Sequence, residues 1–174
     1  MGEMKIVGVC GSLRAGSYNK KLLEYAIKLA GEIGAPVKEL DLKEYALPYF
    51  EAELELPENV KKFKKEVEEA HVLLIASPEY NYSIPGVLKN ALDWLSRGGI
   101  NSLNSKIAVI MGASTGPFGT VRAQANLRQV LACLTVMVLP QPQIFVPFAE
   151  TAFNPDGSLK DDKTTAMLKR LLLK

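Results

Sequence analysis

A three-layer α/β sandwich around a five-stranded parallel sheet is the fold this sequence predicts. Three observations carry the prediction. Short, nearly continuous apolar runs recur along the chain, as parallel strands covered on both faces require. Each is followed by a stretch whose apolar residues return at helical spacing. Strand and helix signals then alternate to the end of the chain, the pattern of a sheet with helices on both faces. At 174 residues, 48% of them hydrophobic, the chain is expected to fold as a single domain spanning 1–174.

The elements follow in order. Met4–Cys10 (MKIVGVC) reads as the first strand, and Gly11–Asn19 as a loop of small and polar residues. Leu22, Leu23, Ala26, Ile27 and Ala30 then line one face of a helix that Gly31 and Gly34 end. Val37–Leu42 is shorter and more polar, which suits an edge strand, and 43–57 is a connection containing Pro48 and Pro57. A helix over about 58–70 carries Val60, Phe63, Val67 and Ala70 as one stripe. Val72–Ala76 is the third strand and Ser77–Ser83 its loop, with Pro85 fit for the first turn of the next helix and Ser83 available as its cap. Val87, Leu88, Ala91, Leu92 and Leu95 line that helix. A Gly-Gly turn lies within Arg97–Asn104, Ile107–Met111 is the fourth strand, and Gly112–Gly119 leads to a helix over about 120–132. Thr135–Leu139 is the fifth strand, Pro140–Ser158 is irregular, and a last helix covers about 162–173.

Composition narrows the function. The net charge of +2 gives no electrostatic case for nucleic acid, and the lysines interleaved with Glu66, Glu68 and Glu69 read as a solvated helix face. Cys10 and Cys133 each lie in an apolar run and read as reduced, buried small hydrophobes. The start has no signal-peptide layout, and no apolar run reaches the roughly 20 residues of a membrane span. A cytoplasmic protein with neither a membrane nor a nucleic-acid partner is the expectation. No cluster has metal-ligand spacing, and the lone histidine, His71, reads as structural or solvated.

In such sheets ligands bind beyond the carboxyl ends of the strands. The three most unusual loops, 11–19, 77–83 and 112–119, each follow a strand and should converge on one edge. The first runs straight into a helix, whose free N–H groups favour an anion. Ser12, Ser17 and Asn19 add neutral donors and Arg14 a planar cation, a set suited to one phosphate monoester. The competing reading is an ordinary loop with Ser17 as helix N-cap and Arg14 on the surface. The dinucleotide G-x-G-x-x-G spacing is absent, and so is the Gly-Lys-Ser/Thr end of a Walker loop. In the second loop, Tyr80 and Tyr82 can offer flat faces to a ring while backbone N–H groups and the Asn81 amide bond its edge. Glu79 either fixes that loop or faces water.

Gly11-Ser12-Leu13-Arg14 with Ser17 and Asn19, then Pro78-Glu79-Tyr80-Asn81, Ser83, Pro85-Gly86, Leu88-Lys89-Asn90-Ala91 and Asp93-Trp94, together with Gly112–Gly116, resemble the NADPH-dependent FMN reductase family. That family includes quinone, chromate and azo-dye reductases. The resemblance implies a flavodoxin-like fold with strand order 2-1-3-4-5. It implies FMN held at its phosphate by Ser12, Arg14, Ser17 and Asn19. Pro78, Glu79, Tyr80 and Asn81 would border the isoalloxazine, and Ser114, Thr115 and Gly116 would form the third wall. It further implies NADPH or NADH as electron donor, a small-molecule acceptor, and a homodimer or homotetramer with FMN near a subunit interface. Asp93 and Trp94, inside a helix, read as packing or subunit contacts. Gln141 and Gln143 stand where family members often carry an acidic residue, so the resemblance says least about specificity there. No side-chain nucleophile is expected, because the cofactor carries the chemistry. The competing class is a flavodoxin-type electron carrier, against which the balanced charge argues. Phe118 and Arg122 could shape the nicotinamide or substrate side, although Arg122 also reads as a surface helix residue.

Overall fold

The computed structural model describes residues 4–99 and 101–174. The first residues of the leader reading, and Ile100 in the Gly-Gly segment, lie outside the described residues. The sheet runs β2-β1-β3-β4-β5, all parallel, as expected. Its strands are β1 (Ile6–Cys10), β2 (Val37–Leu40), β3 (Val72–Ala76), β4 (Ile107–Ala113) and β5 (Met137–Val138). A further strand corrects the five-stranded expectation. The segment 140–158 is not wholly irregular, because β6 (Ile144–Val146) pairs parallel with the carboxyl half of β4.

The helices are α1 (Tyr18–Glu32), α2 (Leu42–Tyr45), α3 (Glu58–Glu69), α4 (Gly86–Leu95), α5 (Val121–Cys133) and α6 (Asp162–Leu172). The short α2 was not expected inside the 43–57 connection. Asp41 starts it by accepting the Lys43 N–H at 2.8 Å.

Successive side chains on each strand point to opposite faces, which gives two cores. Val7, Val9, Leu73, Ile75, Ala108 and Ile110 pack against α3, α4 and α5. Ile6, Cys10, Leu74, Ala76, Val109 and Met111 pack against α1 and α6. Cys133 corrects the other cysteine expectation: it is exposed, whereas Cys10 is buried, and both are free thiols. Burial pushes the Cys10 thiol pKa up, which keeps it unreactive.

The 46–57 connection is pinned beside α4. The Pro48 carbonyl accepts from Asn90 Nδ2 at 2.9 Å and Trp94 Nε1 at 2.8 Å, and the Phe50 N–H donates to Asn90 Oδ1 at 2.7 Å. Trp94 is therefore a packing residue, as expected, with the Phe50 ring edge-on at 5.0 Å. Asp93 pairs with Lys89 one turn earlier.

Candidate functional site

Register brings the three loops together. Cys10 lies opposite Ala76 and Ala76 opposite Met111, so β1, β3 and β4 carry their chains to one edge at one level. Two further ladder bonds, from Gly11 N–H to Ala76 O and from Ser77 N–H to Met111 O, extend that edge into the loops. The loops line one open cleft of about 100 Å³. Of the expected site residues, Ser12, Arg14, Ser17, Asn19, Pro78, Glu79, Tyr80, Ser114 and Thr115 line it, whereas Asn81 and Gly116 do not.

The first loop supplies an anion site. Ser17 caps α1, its Oγ accepting the Lys20 N–H at 3.3 Å. Among the described residues the N–H groups of Tyr18 and Asn19 have no acceptor, as the first turn of a helix leaves them. The Arg14 guanidinium is exposed and also has no partner among the described residues. Ser12 Oγ accepts the Arg14 N–H at 3.4 Å and lies 3.5 Å from Tyr80 Oη, which ties the first loop to the second. Asn19 modifies the expectation. Its buried amide donates to Ala113 O and accepts from Ala113 N–H, both at 2.9 Å. It fastens α1 to the end of β4 and has only its remaining N–H to offer a ligand.

The second loop is a tight hairpin. Tyr80 and Ser83 exchange two backbone hydrogen bonds of 3.0 Å around Asn81 and Tyr82, whose φ angles are 50° and 66°. Two central residues at positive φ match a type I′ turn, and neither is the glycine that would adopt it freely. Non-glycine backbone held in this region clusters at ligand sites. Asn81 therefore sits exposed at the tip instead of bordering the cleft. Ser83 does not cap α4, whose N-cap is Pro85 and which has no side-chain cap.

Glu79 holds the hairpin to α5. Its carboxylate, 7% exposed, accepts the N–H groups of Arg122 at 3.0 Å and Ala123 at 3.1 Å. Arg122 Nε donates to it at 2.6 Å, and Arg122 Nη2 pairs with the same oxygen. A carboxylate at a helix N-terminus is favourable both to the free N–H groups and to the helix dipole. Glu79 thus fixes the loop. Its backbone reaches the cleft while its charge is spent on α5.

The third loop hangs from β6. Ser114 N–H donates to Val146 O, and Ala149 N–H to Ser114 O, both at 3.0 Å. Gly116 turns away from the cleft, its N–H bonded to Ser114 Oγ and its carbonyl to Phe148 N–H, each at 3.2 Å. Gly112, inside β4, permits the whole arrangement. A Cβ there would overlap the Ser77 carbonyl oxygen and Thr120 Oγ1.

Of the two readings the sequence allows for Arg122, that of an ordinary surface residue fails, because its guanidinium lies 4.0 Å from the Tyr82 ring centroid and 5.0 Å from that of Phe118. Another feature escaped the sequence. Thr120, just before α5, and Gln124 and Arg128 on it stand at i, i+4, i+8 and secure the β5–β6 segment. Gln124 Nε2 donates to Ile144 O at 2.8 Å and to Thr120 Oγ1 at 3.1 Å, and Arg128 Nη1 to Leu139 O at 3.1 Å. That i, i+4, i+8 spacing was a visible signal. His71 is exposed at the opposite edge of the sheet, where its Nδ1 accepts the Lys5 N–H. Among the described residues no group of His, Cys, Asp or Glu side chains could hold a metal ion. None of their helices is long and apolar enough to cross a membrane.

The donor set fits FMN. An uncommitted guanidinium, two free helix N–H groups and two hydroxyls belong to residues that line the cleft, a set that a phosphate monoester needs. Pro78–Tyr80 and Ser114–Thr115 line the same cleft, as the borders of a planar ring would.

The comparisons agree with this chemistry. The family model for NADPH-dependent FMN reductase matches residues 4–151. An NAD(P)H-dependent FMN reductase of Pseudomonas aeruginosa is 41% identical, the alignment covering 98% of this chain and 92% of the relative. An NAD(P)H:quinone oxidoreductase of Solanum tuberosum is 39% identical over 98% of this chain and 90% of the relative. Among solved structures, the flavoenzyme NAD(P)H:(acceptor) oxidoreductase FerB of Paracoccus denitrificans superposes with a TM-score of 0.86 at 33% identity, covering 97% of this chain and 93% of that one. Loop chemistry, strand order and sequence therefore converge, and the chain belongs to the NADPH-dependent FMN reductase family.

Proposed function

We propose that this chain oxidises NADPH or NADH at bound FMN and passes the electrons to a small planar acceptor of the quinone class. The observation that carries the reading is the uncommitted anion site at the start of α1, joined by one cleft to the walls of the second and third loops. Relatives named for quinone reduction include those from Solanum tuberosum and Burkholderia. When bound, FMN supplies the exchange of a hydride equivalent between donor and acceptor.

The chain's own residues bind and orient. Arg14, Ser12, Ser17 and the Tyr18 and Asn19 N–H groups would hold the phosphate. Pro78–Tyr80 would border one side of the ring and Ser114–Thr115 the other. The Tyr80–Ser83 hairpin, latched through Glu79, keeps the ring wall fixed against α5. Glu79 is the one carboxylate among the cleft-lining residues, and Arg122 neutralises it, so the cleft carries no free acid or base. A homodimer or homotetramer in the cytoplasm belongs to the same proposal, and light scattering on the purified protein reports the assembly state.

The test is the anaerobic absorbance spectrum of the FMN-supplemented protein before and after NADPH, with NADH in parallel. Retained flavin that bleaches promptly with either donor is the expected result. Flavin that stays oxidised with both would overturn the reading.

A further inference from the structure

We propose that Gln124 is a positioning residue for the flavin: it clamps both ends of the third loop and so sets where the Ser114–Thr115 border of the ring stands. The proposal rests on the functional reading above.

Gln124 is 1% exposed within a single chain, so it stays buried in any assembly. Its side chain reaches both ends of the third loop. Nε2 donates at 3.1 Å to Thr120 Oγ1, where the loop enters α5, and at 2.8 Å to Ile144 O, where β6 begins. β6 is the strut from which the loop hangs, through Ser114 N–H on Val146 O and Ala149 N–H on Ser114 O. The exit of the loop lies against the same strand, since a Cβ on Gly119 would meet backbone atoms of Val146 and Pro147 at 3.0 Å. One amide nitrogen therefore joins α5, the loop exit and the strut.

Two unfavourable features meet at this clamp, and both fit positioning better than stability. Gln124 Oε1 is buried and, among the described residues, has no hydrogen-bond partner. Such an orphan is destabilising. Flipping the amide does not cure it, because the oxygen would then face the Ile144 carbonyl, so the place of the nitrogen is fixed. Thr120, buried and β-branched, is held at a φ of 75°, in the left-handed region that such residues avoid. Strained backbone and unmet polar groups persist where a site needs the geometry they give. An apolar side chain of the same length would remove the orphan, and Ile144 would keep its place opposite Met111 in the β4–β6 ladder. It cannot hold Thr120 and β6 at one fixed separation.

The test uses Gln124→Met, which keeps length and shape without the donor. The FMN-free variant should melt within about 3 °C of the parent, because two lost hydrogen bonds and one removed orphan are opposing effects of similar size. Its FMN dissociation constant, from fluorescence titration, should rise about tenfold, as for the loss of one well-placed contact. Riboflavin, which carries the ring without the phosphate, should lose affinity by the same factor, whereas Arg14→Ala should weaken FMN alone. Hydrogen exchange of the FMN-free protein locates the effect. The Ser114, Phe148 and Ala149 amides should exchange faster, and the Gly11 and Ser77 amides, at the roots of the other two loops, at parent rates. Thr120→Gly removes the other arm of the clamp and relieves the positive φ. It should show the same separation of affinity from stability, and it decides the matter where Gln124→Met does not fold. A melting temperature that falls in step with both affinities, with exchange raised throughout the sheet, makes Gln124 an ordinary core residue and overturns the proposal. Unchanged flavin affinity overturns it as well, and so does a loss for FMN that riboflavin does not share. A parent protein that binds neither flavin would instead overturn the functional reading.

Discussion

Replacing Glu79 by alanine is the perturbation that most directly separates a flavin ligand from a latch. The carboxylate is 7% exposed and accepts two backbone N–H groups of α5. Without it those donors have no acceptor in a site that admits little water, at a cost of about 1–3 kcal/mol each. The Arg122 side chain is 40% exposed, so its own loss is discounted, since a solvated guanidinium recovers its hydration. A total of about 3 kcal/mol follows, and at about 2–4 °C per kcal/mol for a chain of this size the melting temperature should fall by about 6–12 °C. Glu79→Gln keeps one acceptor oxygen and should lose about half as much. The assays are thermal unfolding of the FMN-free protein and fluorescence titration with FMN. The latch predicts that the stability loss appears without FMN and that FMN affinity falls in step with it, as the hairpin loosens. A Glu79→Ala protein that melts like the parent without FMN, yet binds FMN poorly, would refute the latch and make the carboxylate a direct flavin ligand.

Gly112→Ala should lower both stability and FMN affinity, because its Cβ would overlap a backbone carbonyl that cannot rotate away; a cost of about 1–3 kcal/mol is expected by thermal unfolding. Adding Thr120→Ala to Gly112→Ala should recover little of that loss, since the Ser77 oxygen stays where it is. Asp161 caps α6, and its carboxyl is held below the usual carboxylate range first by the Thr164 hydroxyl and then by the Thr164 N–H. A lowered folded-state pKa gives stability that is present above the ordinary value and lost as pH falls through the lowered one. Melting temperatures measured below about pH 4 should therefore decline less steeply in Asp161→Asn than in the parent.

The central strands and the converging loops were legible because local patterns decide them, whereas the strand order came with the motif resemblance. Ile6–Cys10, Val72–Ala76 and Ile107–Ala113 are apolar throughout, and only a central parallel strand buries such runs on both faces. β6 was not legible for the opposite reason. Ile144–Val146 is three residues between Pro142 and Pro147, and it becomes a strand only because the carboxyl half of β4, 33 residues back in sequence, is there to pair with it. Cys133 was misread because an apolar run says nothing about azimuth. It follows the buried Leu131 by two residues, about 200° around the helix, and so points to solvent.

The candidate site divides along the same line. Ser17 as a helix cap and Arg14 as a free cation depend on their own loop, and both stand as that loop suggested. Asn19, Glu79 and Asn81 depend on where other elements arrive. Asn19 is bound by the end of β4, and Glu79 by a helix that starts some forty residues later. Asn81 is lifted off the cleft by a turn whose positive φ angles neither it nor Tyr82 advertises. Motif resemblance names such residues without saying whether a side chain meets the ligand or the scaffold. For Glu79 the geometry answers that question, because four bonds to α5 leave its carboxylate little to give a flavin. The same bonds fix Arg122 between two exposed rings. One short Pro-Glu-Tyr-Asn-Tyr segment thereby shapes the cleft with its backbone and the surface beside it with its side chains.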